Sequence, residues 1–204
     1  MIDHNKKIIF IHINKCAGIS IVRALSRRFG SHDDAVSYKK KFPNKFNYYF
    51  KFSVVRNPWD KMVSFYNYHD KVRRWDYDWE WSPDNSPSFG EFIKISSSFS
   101  KQTQKYIFRK TGSRCTHHKR MSNQLDWISD KDGNILVDYI IRFENLQKDF
   151  DIVCDKIGVG RKKLPHKNKS KHKHYTEYYD DKTREIVAEK YAKDIEYFGY
   201  EFGE

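Results

Sequence analysis

An α/β fold with a central parallel β-sheet flanked by helices is the class this sequence predicts. Three observations point to it. Short β-branched and aromatic runs recur along the chain, each run passes into a stripe of apolar residues at helical spacing, and small or polar residues fill the joints between them. At 204 residues the chain suits one domain, 1–204, with a substantial core.

The first run, Ile8 to Ile13, is interrupted only by His12 and reads as a buried strand. Asn14-Lys15-Cys16-Ala17-Gly18 follows, and then Ile19, Ile21, Val22, Leu25 and Phe29 repeat at helical spacing until Gly30-Ser31. The second run, Tyr48 to Val55, ends in Arg56-Asn57-Pro58. Pro58 suits a first helical turn, where its missing N–H costs nothing, and Trp59, Met62, Val63 and Tyr66 form the stripe behind it. The third run is Ile135 to Phe143, preceded by an Asp132-Gly133 turn signal. Its helix starts near Glu144-Asn145, continues through Leu146, Phe150, Val153 and Ile157, and stops at Gly158. A last helix carries Ile186, Val187, Tyr191, Ile195 and Phe198, with Gly199 just past its end. Residues 71–90 and 161–174 depart from the pattern and are expected as loops or insertions near a cleft. The first holds Trp75, Tyr77, Trp79 and Trp81, a set that could stack on sugar rings or cap the core. The second holds seven Lys/Arg and three His.

Composition narrows the partners. Aromatic residues make up 17% of the chain, with only 9 Gly and 5 Pro, which excludes low-complexity and collagen-like classes. The net charge of +12 favours anionic partners: nucleotides, nucleic acid, sulfated or acidic glycans, or anionic lipid. Cys16, Cys115 and Cys154 are widely spaced and odd in number, which argues against a disulfide framework and for a reducing compartment. The N-terminal stretch lacks a signal-peptide pattern, and its apolar run is far below the ~20 residues needed to span a bilayer. A cytoplasmic protein without a transmembrane segment is expected.

In an open α/β sheet, ligands bind beyond the carboxyl ends of the strands. The loop Asn14 to Ser20 lies there. Its small residues let backbone N–H groups approach an anion, the helix start adds positive potential, Lys15 adds a charge and Ser20 a hydroxyl. This is phosphate-loop chemistry without the G-x-x-x-x-G-K-[ST] order of an NTPase, and a plain tight turn is the alternative. Arg56 ends the next strand, and Ser64, eight residues on, falls outside the apolar stripe. Arginine takes a phosphate bidentately and a hydroxyl can take another oxygen. Two anion sites at two strand ends suggest one ligand with two phosphate-like groups.

These segments resemble the carbohydrate branch of the PAPS-dependent sulfotransferases, where PAPS is 3′-phosphoadenosine 5′-phosphosulfate. IFIHINKCAGISI is similar to that family's 5′-phosphosulfate loop, typically I-P-K-T-A-G-T-S. FKFSVVRNPWDKMVSFYNYH is similar to its 3′-phosphate motif, F-x-F-V-R-N-P-x-D-R-x-V-S-x-Y. IIRFENLQKDFDIVCDKIG and YYDDKTREIVAEKYAKDIEYFGYEF resemble its third strand–helix unit and terminal helix. Asn14, Cys16 and Ile19 stand where the family has Pro, Thr and Thr, so two hydroxyls are replaced.

The resemblance implies a P-loop-like domain, PAPS as sulfonate donor, PAP as product and no metal. It implies a hydroxylated acceptor, for which the charge favours an acidic glycan or glycolipid. It assigns Lys15, Cys16, Ala17, Gly18, Ile19 and Ser20 to the phosphosulfate, with Lys15 also catalytic at the bridging oxygen, and Arg56 and Ser64 to the 3′-phosphate. Ser170, in Asn168-Lys169-Ser170, is expected near the nucleotide, with Lys173 as a further contact. His32 is the expected catalytic base, with His69 second; a polar turn residue is the alternative for His32. Cys16 is either a small packing residue or a thiol activated by its electropositive loop. His117, His118, His166, His172 and His174 lack paired ligand motifs. Two other functions fit less of the chain: a P-loop-like nucleotide kinase, which lacks its GK[ST], and a basic nucleic-acid-binding module, which lacks a docking motif and leaves both strand-end loops unexplained.

Overall fold

The computed structural model describes residues 1–25, 32–72, 87–98, 121–165 and 173–204, with the side chains of 69–72 and 98 outside the description. The chain divides into two compact units. The first comprises Met1–Arg56 and Gln124–Lys169, the second Asn57–Asn123 and Ser170–Glu204.

The first unit holds a four-stranded sheet in the order β1-β2-β3-β4: β1 Ile2–Asp3, β2 Ile8–Ile11, β3 Phe50–Val55 and β4 Tyr139–Arg142. β2 pairs parallel with β3, and β3 parallel with β4, while the two-residue β1 is an antiparallel edge. All four residues of β2 are buried, as are the last four of β3. That is why both read as near-continuous apolar runs rather than alternating ones. Phe10 and Phe52 stack across the β2–β3 pair with centroids 5.0 Å apart. The helices of this unit are α1 Gly18–Leu25, α2 Ala35–Lys41, α3 Pro43–Tyr48, the short α6 Leu125–Ile128 and α7 Leu146–Lys156. Asp34 caps α2 by accepting from the Ser37 N–H at 2.7 Å. A 3₁₀ turn, Phe143–Asn145, joins β4 to α7.

Strand boundaries are tighter than the sequence suggests. β4 begins at Tyr139 because Ile135 pairs back with Ser129 in an isolated antiparallel bridge. Asp130 organises the turn between them by accepting from the Asp132 and Asn134 N–H groups, and Gly133 takes φ 86° there.

The second unit is helical, with α4 Pro58–Val72, α5 Phe89–Ser98, α8 Asp181–Lys190 and α9 Ala192–Phe198. Asn57 starts α4: its Oδ1 accepts the Trp59 N–H and its carbonyl accepts from Lys61. The expected last helix is two helices, broken at Tyr191. That ring is fully buried, with its hydroxyl donating to the Met121 carbonyl at 3.1 Å. Gly199 ends α9 in the left-handed conformation, as expected of a C-terminal stop. Of the expected loops, 71–72 close α4 and 89–90 open α5, while 73–86, with Trp75, Tyr77, Trp79 and Trp81, lie outside the described residues. Residues 161–165 and 173–174 form no regular element, and 166–172 lie outside the description.

Candidate functional site

The carboxyl ends of β2, β3 and β4 place three segments of the first unit together. The loop after β2 is the most unusual of them. Lys15 and Ala17 both adopt left-handed backbone, φ 66° and 54°, on either side of Cys16. For residues with a Cβ this costs about 1–2 kcal/mol each, and such strain concentrates at functional sites. Left-handed backbone interspersed with ordinary backbone is the kind of geometry from which anion-binding nests of N–H groups are built. The Ala17 carbonyl then accepts from the Ser20 and Ile21 N–H groups and opens α1, whose first N–H groups lack intrahelical acceptors by construction.

Gly18 is needed for close approach rather than for an unusual φ. A Cβ there would lie 1.9 Å from His12 Nε2. The His12 ring is stacked on Phe10, with centroids 5.6 Å apart, and lies 4.2 Å from the His32 ring. Burial, reinforced by the neighbouring His32, pulls the His12 imidazole down to about 3, so it is neutral at physiological pH. His32 Nδ1 lies 3.0 Å from the His12 carbonyl oxygen. A carbonyl only accepts, so Nδ1 is the donor of this pair.

Arg56 follows β3 and is only 7% exposed. Its guanidinium lies 4.0 Å above the Phe143 ring at the end of β4, and Nη1 donates to the Lys15 carbonyl at 3.0 Å. Two cationic residues from two strand ends are therefore tied together. Burial of the Lys15 ammonium, with the Arg56 charge beside it, pulls Lys15 from 10.5 down to about 8. An anion brought to this loop would reverse both effects. Asn14 Nδ2 is buried and has no hydrogen-bond partner among the described residues, a donor whose desolvation costs about 1–3 kcal/mol until an acceptor reaches it.

The remaining expected residues divide by position. The Cys16 side chain is fully buried, and its S–H contacts Asn14 O at 3.4 Å and Gln124 Oε1 at 3.2 Å. It packs and tethers the loop rather than facing a ligand, so Cys16 offers its backbone. Ser20 Oγ donates to the Pro165 carbonyl at 2.9 Å, and Ile19 is 36% exposed on the first turn of α1. Ser64 sits half-buried on α4 in the second unit. His69 is on the same helix with its side chain outside the described residues, and Ser170 lies outside them entirely. Lys173 is paired with Glu177 at 3.7 Å. His174 caps a 3₁₀ turn, Tyr175–Tyr178, while Cys115, His117, His118, His166 and His172 lie outside the description.

Gln124, His12 and Phe143 join this site although no sequence motif assigns them a role in it. His12 carried a signal, as the one polar residue in an apolar strand. Gln124 carried none, since it stands alone between α6 and a segment without periodicity. Among the described residues no group of His, Cys, Asp or Glu could hold a metal ion, and no helix is long and apolar enough to cross a membrane.

Comparison with known proteins adds the following. A sequence model of the sulfotransferase family matches residues 1–201. No curated protein matches the chain. Among solved structures the chain is similar to a sulfotransferase from Alicyclobacillus acidocaldarius, at 17% identity, over 93% of this chain and 83% of that one, with a TM-score of 0.36.

Proposed function

The chain belongs to the sulfotransferase family, and from that premise we propose that it moves a sulfonate group from PAPS to a hydroxyl of an acidic glycan or glycolipid. One observation carries the choice of donor. Lys15, in a loop with left-handed backbone, is tied through its carbonyl to the Arg56 guanidinium, which supports reading the two cations as one site. The orphaned Asn14 amide and the lowered Lys15 proton affinity both fit a site built to receive an anion. PAPS has anionic groups at both ends of its ribose, which such a pair can hold.

In this reading the backbone N–H groups of the loop from Lys15 to Ile19, with Ser20 beside them, take the 5′-phosphosulfate, and Arg56 takes the 3′-phosphate. The motif resemblance adds Ser64 and Ser170 to the donor-binding set. Transfer forms a bond from the acceptor oxygen to sulfur and breaks the bond from sulfur to the bridging phosphate oxygen. His32 Nε2 takes the acceptor proton, and the Lys15 ammonium offsets the charge that grows on the departing phosphate. PAP leaves with that charge. Such chemistry depends on positioning and electrostatics more than on covalent help from the protein.

The test is transfer of label from sulfur-labelled PAPS to a panel of glycans, glycolipids and small alcohols. Labelled sulfate ester should form on at least one acidic glycan or glycolipid. Label appearing only on small alcohols would overturn the acceptor class, and PAPS left intact with every acceptor would count against the activity.

A further inference from the structure

Gln124 is fully buried, and its amide joins both strand-end loops. Oε1 accepts the Arg56 backbone N–H at 2.9 Å and the Cys16 S–H at 3.2 Å, while Nε2 donates to the Arg56 carbonyl at 2.8 Å. The partners fix the amide's orientation, because a backbone N–H only donates and a carbonyl only accepts. The pairing imitates what a neighbouring strand would offer, at the residue just after Val55, where the β3 ladder ends. Arg56 Nη1 in turn donates to the carbonyl of Lys15, the residue before Cys16. The contacts close a circuit: Gln124 to Arg56, Arg56 to Lys15, Lys15 through the chain to Cys16, and Cys16 back to Gln124.

We propose that Gln124 is a positioning residue that fixes the spacing between the Lys15 loop and Arg56, and so sets the preference for a ligand bearing two phosphates over one bearing a single phosphate. This rests on the donor site proposed above. Burial first, and the neighbouring Arg56 charge second, lower the Lys15 proton affinity. Without the amide tether, repulsion favours relaxation of the two loops away from each other. A ligand that must touch both loops then loses contacts, while a ligand held by the Lys15 loop alone keeps them. Buried side-chain networks of this kind set geometry when every member is satisfied.

The experiment titrates PAP and adenosine 5′-monophosphate calorimetrically into the full chain at fixed salt, for wild type, Gln124→Met and Gln124→Glu. Methionine keeps the length and removes all three hydrogen bonds. Glutamate keeps the acceptor toward Arg56 N–H and Cys16 and loses the donor. Gln124→Met should weaken PAP about 10- to 100-fold, the effect of one or two displaced charge-assisted contacts, and should weaken the monophosphate much less. The ratio of the two affinities therefore collapses, and Gln124→Glu restores part of it. A merely structural glutamine would weaken both ligands alike and leave the ratio unchanged, which overturns the inference alone. A wild type that does not bind PAP overturns the donor reading and this inference with it. A measurement without mutants guards against variants that fail to fold. The Arg56 amide should exchange slowly with solvent before any PAP is added, and protection that appears only with PAP would show that the tether is not preformed.

Discussion

The imidazole of His12 occupies the space that a side chain on Gly18 would need. An added Cβ would sit 1.9 Å from Nε2. The ring is stacked on Phe10 and packed beside His32, so it has little room to swing aside. The strand before the Lys15 loop thus sets how closely the first turn of α1 approaches the sheet.

Gly18→Ala should accordingly destabilise the protein by about 1–3 kcal/mol, the usual cost of overpacking, and weaken PAP binding through displacement of the loop. Removing the obstacle should relieve the clash. The His12→Ala/Gly18→Ala double variant should melt higher than the sum of the single effects predicts. Strict additivity in thermal unfolding would refute this contact.

Arg56→Ala should weaken PAP by about 2–4 kcal/mol, as expected for a lost charge-assisted contact that leaves an anion unpaired. Adenosine 5′-phosphosulfate, which lacks the 3′-phosphate, should bind wild type much more weakly than PAP and should be little affected by the substitution. Equal wild-type affinity for the two nucleotides would remove Arg56 from the 3′-phosphate.

Lys15 gives a pH signature. Its folded-state pKa lies at about 8 instead of 10.5. Between those values the folded protein holds fewer protons than the unfolded chain, so the contribution of Lys15 to stability rises with pH across that window. A bound phosphate favours the charged ammonium and raises the pKa again. PAP binding between about pH 8 and 9 should therefore take up protons, seen as binding heats that vary with the buffer's ionisation enthalpy. Lys15→Met should abolish that uptake and flatten the stability slope. Proton uptake that survives the substitution would place the titration elsewhere.

His32 is the proposed base, with its Nδ1–H donating to the His12 carbonyl at 3.0 Å. His32→Ala should lower turnover by roughly 10²–10⁴-fold with PAP affinity nearly intact, and the acidic limb of the pH–rate profile should vanish. A fully active variant, with His69→Ala inactive, would move the role of base to His69.

Parts of this arrangement could be read from the chain and parts could not, for physical reasons. β2 and the end of β3 are buried on both faces, so their apolar runs were plain, and the glycine and small residues after β2 marked the loop. β1 is two residues long and carries no periodicity. α2 lies in a Lys- and Tyr-rich stretch without an apolar stripe, and only its Asp34 cap, three residues before Ser37, marks it. Lys61, a charged residue on α4 with no local pattern to mark it, is fully buried, its ammonium 5.3 Å from the Tyr191 ring and 3.5 Å from the Ser122 carbonyl. Gln124 makes its contacts with residues 68 and 108 positions away. No local pattern encodes such a contact, whereas Lys15, Gly18 and Arg56 sit where strand–helix order alone directs attention.

Thermal unfolding of the wild-type chain with PAP, with ATP and with duplex DNA tests the donor site without knowledge of the acceptor. PAP should raise the melting temperature strongly and ATP far less, because the Lys15 loop and Arg56 are proposed to need phosphates at both ends of the ribose. DNA should have little effect once salt screens the net charge of +12. Stabilisation by ATP equal to that by PAP, or stabilisation by DNA that exceeds both and falls steeply with salt, would contradict the account.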